Sequence, residues 1–138
     1  MTAPVTFVDT NVLVHAHTSS DAVRHARATS LLGGLWAGRV GVVSTQVLSE
    51  FYQVATRKLG MAPASAREIV LLYAAWPVVE IDVPLMAAAM ERHERDSVAW
   101  WDCLVVEAAL RAGAMRLASE DFGHGRRFGP LEVVNPFA

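Results

Sequence analysis

Val5-Thr6-Phe7-Val8-Asp9-Thr10-Asn11-Val12-Leu13-Val14 places a strand, an acid and the start of a helix in one short stretch. The first four residues are apolar or β-branched and do not alternate polar with apolar, as expected of a strand buried on both faces. Asp9 breaks the run, and the residues from Asn11 to about His17 then read as a short helix. A carboxylate between a buried strand and a helix falls at the carboxyl edge of a parallel sheet, where open α/β sheets bind their ligands.

The same alternation continues along the chain. Val40 to Val43, Val78 to Ile81, Met115 to Ser119 and Leu131 to Val134 form further short strands. Asp21 can cap a helix carried by Ala28, Leu31, Leu32 and Leu35, with Gly33-Gly34 and Gly38 loosening its end. Ser44 or Thr45 opens a helix reaching about Lys58, Pro63 starts another that closes before Trp76-Pro77, and Asp82 caps a third with Pro84 in its first turn. From about Val98 to Ala112 the chain is apolar almost all round, so this helix is expected at the centre, stopped by Gly113. The pattern predicts an α/β fold, with a mainly parallel sheet of about five strands flanked by helices on both faces.

Composition narrows the function classes. The 138 residues are 53% hydrophobic and 19% charged, which suits one folded domain over residues 1–138 and excludes a disordered chain. A single cysteine, Cys103, cannot pair within the chain, as expected of a protein from a reducing cytoplasm. The longest apolar run, the eleven residues from Ile69 to Val79, is too short for a membrane span, and the N-terminus lacks a basic segment, so neither membrane nor secretion is expected. The net charge is −2, so holding nucleic acid by charge alone is excluded. Any phosphate-bearing partner must be balanced by something other than the chain itself.

Four acids bear on that balance. Asp9 and Asp121 each follow a strand. Asp102 interrupts the apolar helix, with no Lys or Arg between Arg95 and Arg111 to neutralise it locally. Glu50 shares a polar stripe with Gln46, Gln53 and Arg57, a pattern that by default is a solvated helix face. A parallel sheet would gather Asp9 and Asp121 at one edge, from which the helices bearing Glu50 and Asp102 can start. Converging carboxylates repel and resist ionisation, whereas a divalent cation reverses the sign of the problem. Oxygen-only ligands suit Mg²⁺ or Mn²⁺, which bridge to phosphate oxygens and can activate water for phosphodiester hydrolysis.

Four motifs carry a resemblance. Val8-Asp9-Thr10-Asn11-Val12-Leu13-Val14, Leu48-Ser49-Glu50-Phe51, Trp101-Asp102-Cys103-Leu104-Val105-Val106-Glu107-Ala108-Ala109 and Ser119-Glu120-Asp121-Phe122 look like the motif series of PIN domains. They are most similar to those of the VapC toxins of bacterial VapBC toxin–antitoxin pairs. The resemblance spans essentially the whole chain. It implies an endoribonuclease cleaving single-stranded RNA with Mg²⁺ or Mn²⁺, a homodimer, and inhibition by a small cognate antitoxin. Asp9, Glu50, Asp102 and Asp121 carry over as the metal-binding and catalytic acids, with Asn11 and Ser119 supporting them by hydrogen bonds. Ser119 stands where many relatives have Thr.

Other residues carry weaker signals. His124 and Arg126, in a basic loop after Asp121, and Arg24 on the second helix are candidate RNA contacts, against the commoner reading of solvated charge. Glu120 adjoins Asp121, while Glu107 lies about 140° around the helix from Asp102 and should face elsewhere. His15 and His17 are two apart and cannot share a helix face for zinc. The four Trp fall near helix ends, where core anchoring is favoured over base stacking. An aspartyl-nucleophile phosphotransferase would want a second acid at Asn11 and a lysine near the phosphate, but Lys58 alone is available, at a helix end. A non-catalytic binding module of the same fold would most simply have lost one of the four acids.

Overall fold

The computed structural model describes residues 3–138. Strand β1 (Thr6–Val8) is central and fully buried. It pairs in parallel with β2 (Gly41–Ser44) on one side and β4 (Arg116–Ala118) on the other. Beyond β2 lies β3 (Val78–Val79), and beyond β4 lies β6 (Leu131–Val134), both parallel. A two-residue strand, β5 (Arg127–Phe128), closes the far edge antiparallel to β6, giving the order β3-β2-β1-β4-β6-β5. The sheet therefore has six strands where sequence suggests about five. Two residues are too few to carry a strand signature, and β5 exists because Gly129-Pro130 turns the chain back onto β6.

The helices are α1 (Thr10–Ala16), α2 (Ala22–Gly38), α3 (Thr45–Arg57), α4 (Pro63–Tyr73), α5 (Val83–Arg95) and α6 (Trp100–Arg111). Their starts follow the capping rule: Asp21, Ser44 and Asp82 each accept a hydrogen bond from a backbone N–H three residues on. Helix α2 continues through Gly33-Gly34, both of which are exposed. Burial of Ala28, Leu32 and Leu35 on the inner side offsets the roughly 1 kcal/mol that each glycine costs a helix. Strand β3 is shorter than Val78 to Ile81, because Ile81 N donates to the Thr45 hydroxyl at 3.2 Å instead of extending the ladder.

Helix α6 is central as expected, burying Cys103, Leu104, Val105, Val106, Ala108 and Ala109 against β2, β4 and α5. It is not apolar-buried all round, since Trp101 is 63% exposed. On β2, Gly41 lies under the Trp76 ring, and a Cβ there would stand 2.7 Å from it. That contact ties β2 to the end of α4. Strands β1 and β4 end level, Val8 beside Ala118, so the residues that follow them emerge side by side.

Candidate active site at the carboxyl edge

Asp9 and Ser119 are those residues. Asp9 caps α1, taking the Thr10 N–H on Oδ1 at 2.8 Å, and its N–H is held by Ala118 O. Its other oxygen, Oδ2, accepts from the fully buried Ser119 hydroxyl at 2.8 Å. The Ser119 oxygen in turn accepts from Asp121 N at 3.1 Å and from Asn11 Nδ2 at 3.3 Å. Asn11 Nδ2 also donates to Asp121 Oδ2 at 3.0 Å, and Asn11 Oδ1 accepts from Glu120 N. Asn11 and Ser119 thus fix Asp9 and Asp121 through one connected network.

The second pair comes from the helices. Thr10 Oγ1 donates to Glu50 Oε2 at 3.0 Å, linking α1 to α3. Gln46, one turn earlier on α3, donates from Nε2 to Glu50 Oε1 at 3.0 Å and to the Trp101 carbonyl at 3.3 Å, linking α3 to the start of α6. Asp102 follows in the first turn of α6 and has no side-chain hydrogen bond among the described residues. Sequence reading missed Thr10 and Gln46. A hydroxyl next to Asp9 and an amide one turn before Glu50 were both visible, but only the tertiary fold reveals what they reach.

Asp121 and Glu50 act by their charges on both Asp9 and Asp102. Burial raises the Asp9 carboxyl from 3.8 to about 7, against the lowering effect of its hydrogen bonds, and the charges of Asp121 and Glu50 add to the rise. Asp102 is also raised, by burial first and then by Asp121 and Glu50. None of the four forms a salt bridge among the described residues, whereas Asp21, Asp82, Asp96, Glu107, Glu120 and Glu132 all do. Among the described residues, no three His, Cys, Asp or Glu side chains are placed to hold a metal ion directly. An uncompensated, oxygen-only acidic pocket without a closed cage fits a hard divalent cation that keeps several of its own waters, as Mg²⁺ does. A concavity of about 760 Å³ between α2 and the sheet contains none of these acids.

A PIN-domain family model matches residues 6–127. The chain belongs to the PIN-domain family. Its fold is similar to that of the Mycobacterium tuberculosis toxin VapC20, which cleaves the sarcin-ricin loop (26% identity, TM-score 0.66, covering 85% of this chain and 92% of that one). It is also similar to a toxin–antitoxin complex from Klebsiella pneumoniae (13%, 0.71, 95% and 97%). A third similar structure is VapBC2 from Rickettsia felis, bound to a DNA fragment from its promoter (18%, 0.66, 93% and 96%). No curated protein matches the sequence.

Most of the other residues that the sequence of this PIN domain singles out have partners of their own. Glu120 turns away from Asp121 to pair with Arg24 and with His15 at 3.3 Å, and Arg24 lies over the Phe137 ring and also pairs with Asp21. Glu107 accepts from Arg92 at 3.0 Å. His124 accepts the Asn135 N–H on Nδ1, and Arg126 lies over Phe128 with no acidic partner among the described residues. His17 contacts Tyr73 and Phe51 in the core, and buried Cys103, its thiol pushed up by burial, donates to Val98 O. Lys58 caps the far end of α3, roughly 12 Å along the axis from Glu50, so no lysine serves the pocket. No helix among the described residues is long and apolar enough to cross a membrane.

Proposed function

We propose that this chain is a metal-dependent endoribonuclease, the toxin component of a toxin–antitoxin pair. The observation that carries the reading is the set of four carboxylates at one sheet edge, none with a cationic partner while six other acids have one. Likeness to VapC20 supports RNA as the substrate, and likeness to the toxin–antitoxin complexes supports a small cognate antitoxin. A homodimer working in the cytoplasm completes the proposal.

Asp9, Asp102 and Asp121 would hold Mg²⁺ or Mn²⁺, with Glu50 completing the pocket or orienting the attacking water. When bound, such an ion polarises the scissile phosphate and lowers the pKa of bound water. The chain's own residues prepare this. Ser119 and Asn11 set the directions of Asp9 and Asp121, and Thr10 and Gln46 hold both Glu50 oxygens. The carboxylates leave no other anion stable in the pocket, so a phosphate enters only where positive charge offsets them. His124 and Arg126 can take backbone phosphates outside the pocket; Arg24 can do so only by leaving Glu120.

The test is cleavage of a mixed RNA pool by purified protein with Mn²⁺, with Mg²⁺ and with EDTA, alongside Asp9→Asn. Cutting that requires metal and disappears with Asp9→Asn is the expected result. No cutting in any lane, together with no Mn²⁺ binding by calorimetry, would leave a PIN fold kept for binding alone.

A further inference from the structure

We infer that the small concavity bounded by Gln46, Ser49, Glu50 and Trp101 is a subsite for one unstacked nucleobase of the RNA, with the Trp101 indole as its platform. The inference rests on the ribonuclease reading above and adds to it a place for the nucleotide beside the scissile bond.

Trp101 contradicts the expectation that all four tryptophans anchor the core. Trp76 is buried and Trp36 packs against it, whereas Trp101 is 63% exposed. It directly precedes Asp102, and its backbone carbonyl is pinned to α3 by Gln46. The ring therefore stands at the rim of the acid pocket on an anchored main chain. The hollow beside it has a volume of about 330 Å³, at the small end of ligand sites and suited to a single flat ring.

Its chemistry favours a base over the alternatives. A protein-docking face is a contiguous apolar patch, but here a lone indole is bordered by a carboxylate, an amide and a hydroxyl. Glu50 repels a phosphate yet tolerates a neutral base, so a flanking nucleotide enters this side base-first. Gln46 Oε1 is the one buried side-chain oxygen or nitrogen among the described residues with no hydrogen-bond partner. Gln46 is also one of the residues that line the hollow, so an unpaired acceptor lies beside it. Stacking on an aromatic ring is tolerant of base identity, and single-stranded nucleic-acid sites combine it with cations that follow the backbone. Arg126 and its neighbours provide such cations in a separate groove with Arg95 and Arg127.

The test measures binding by the non-cleaving Asp9→Asn protein in EDTA, using a mixed-sequence single-stranded oligoribonucleotide and a same-length abasic strand. Adding Trp101→Ala should weaken binding of the base-bearing strand roughly 5- to 100-fold, the range for loss of one stacked base, and leave the abasic strand unchanged. Trp101→Phe should keep most of the affinity, and part of the RNA-induced tryptophan quenching should vanish with it. Equal loss on both strands, or no loss, overturns the subsite. So does an unchanged RNA affinity with a dissociated dimer, which would assign Trp101 to a protein interface. If the wild-type protein cleaves RNA and Trp101→Ala changes nothing, the subsite alone fails; if it neither cleaves nor binds RNA, both readings fail.

Discussion

The Ser119 hydroxyl donates to Asp9 Oδ2 at 2.8 Å across 110 positions of sequence, and both residues are buried. One hydroxyl hydrogen therefore decides how the first acid faces the pocket, while the same oxygen receives Asp121 N. Ser119→Ala would leave an acceptor on Asp9 and a donor on Asp121 unpaired. We expect a loss of about 1–3 kcal/mol by urea denaturation. Mn²⁺ affinity should fall about 10- to 100-fold, the usual effect of removing a residue that orients a ligand. Because the lost bond lowers the Asp9 pKa, the acid limb of the cleavage profile should move to higher pH. Ser119→Thr keeps the hydroxyl and should recover much of both. Unchanged metal affinity in the alanine variant would remove Ser119 from the site.

Asp9 makes the metal-free fold pH-dependent with a definite sign. Its pKa rises from 3.8 to about 7 on folding, so between those values the folded state holds a proton that the unfolded state has lost. This contribution to stability is complete below the unfolded pKa and disappears as pH rises through the folded one. Asp102 acts in the same direction. With EDTA present, the protein should melt at a higher temperature near about pH 5 than near about pH 8, once other groups are controlled with Asp9→Asn. Asp9→Asn should itself stabilise the metal-free protein at about pH 8, by an amount on the order of 2 kcal/mol, because it removes a buried charge. A variant less stable than wild type at that pH would contradict the assignment.

Metal and proton compete for the same oxygens. Mn²⁺ should therefore raise the melting temperature more at about pH 8 than at about pH 5, and chelation should reverse the gain. The gain should be largely lost in Asp9→Asn and in Asp102→Asn. A metal-induced rise that is independent of pH and of both substitutions would place the ion elsewhere.

Much of this was legible from Asp9 and its neighbours. A Val-rich strand ending in an acid and leading into an apolar helix implies a parallel sheet edge, and the structure places Asp9 and Ser119 side by side there. The caps at Asp21, Ser44 and Asp82 were legible because they are local chemistry. What escaped is tertiary. Nothing near Glu50 in sequence shows that Thr10, 40 positions away, holds it. The outward position of Trp101 is set by how α6 lies on the sheet, which hydrophobicity alone misassigns. Arg24 read as free positive charge because its partner, Glu120, is 96 positions distant.

Gly41 provides a test of the scaffold rather than the chemistry. Its missing side chain lets the Trp76 ring lie directly against β2, and an added Cβ would come within 2.7 Å of ring carbons that are themselves buried. Gly41→Ala should cost about 1–3 kcal/mol, because neither the strand nor the indole can withdraw without opening the core. Strand β2 leads straight into the helix bearing Glu50, so the strain also falls on that acid's support. Denaturation midpoints check the first effect, and a wild-type midpoint would show that the Trp76 ring can move.

The Arg24–Glu120 pair calls for a double-mutant cycle. Both side chains are partly exposed, and Glu120 has a second partner in His15, so the coupling between Arg24→Ala and Glu120→Ala should be about 0.5–1 kcal/mol and fall with added salt. Asp121 is held separately, by Asn11 Nδ2 and through its N–H by Ser119. Mn²⁺ affinity should therefore stay within about twofold of wild type in both single variants, unlike in Ser119→Ala. A drop comparable with that of Ser119→Ala in the Glu120 variant would make Glu120 part of the metal pocket, while a selective loss of RNA affinity in the Arg24 variant would show that Arg24 leaves Glu120 to meet the substrate.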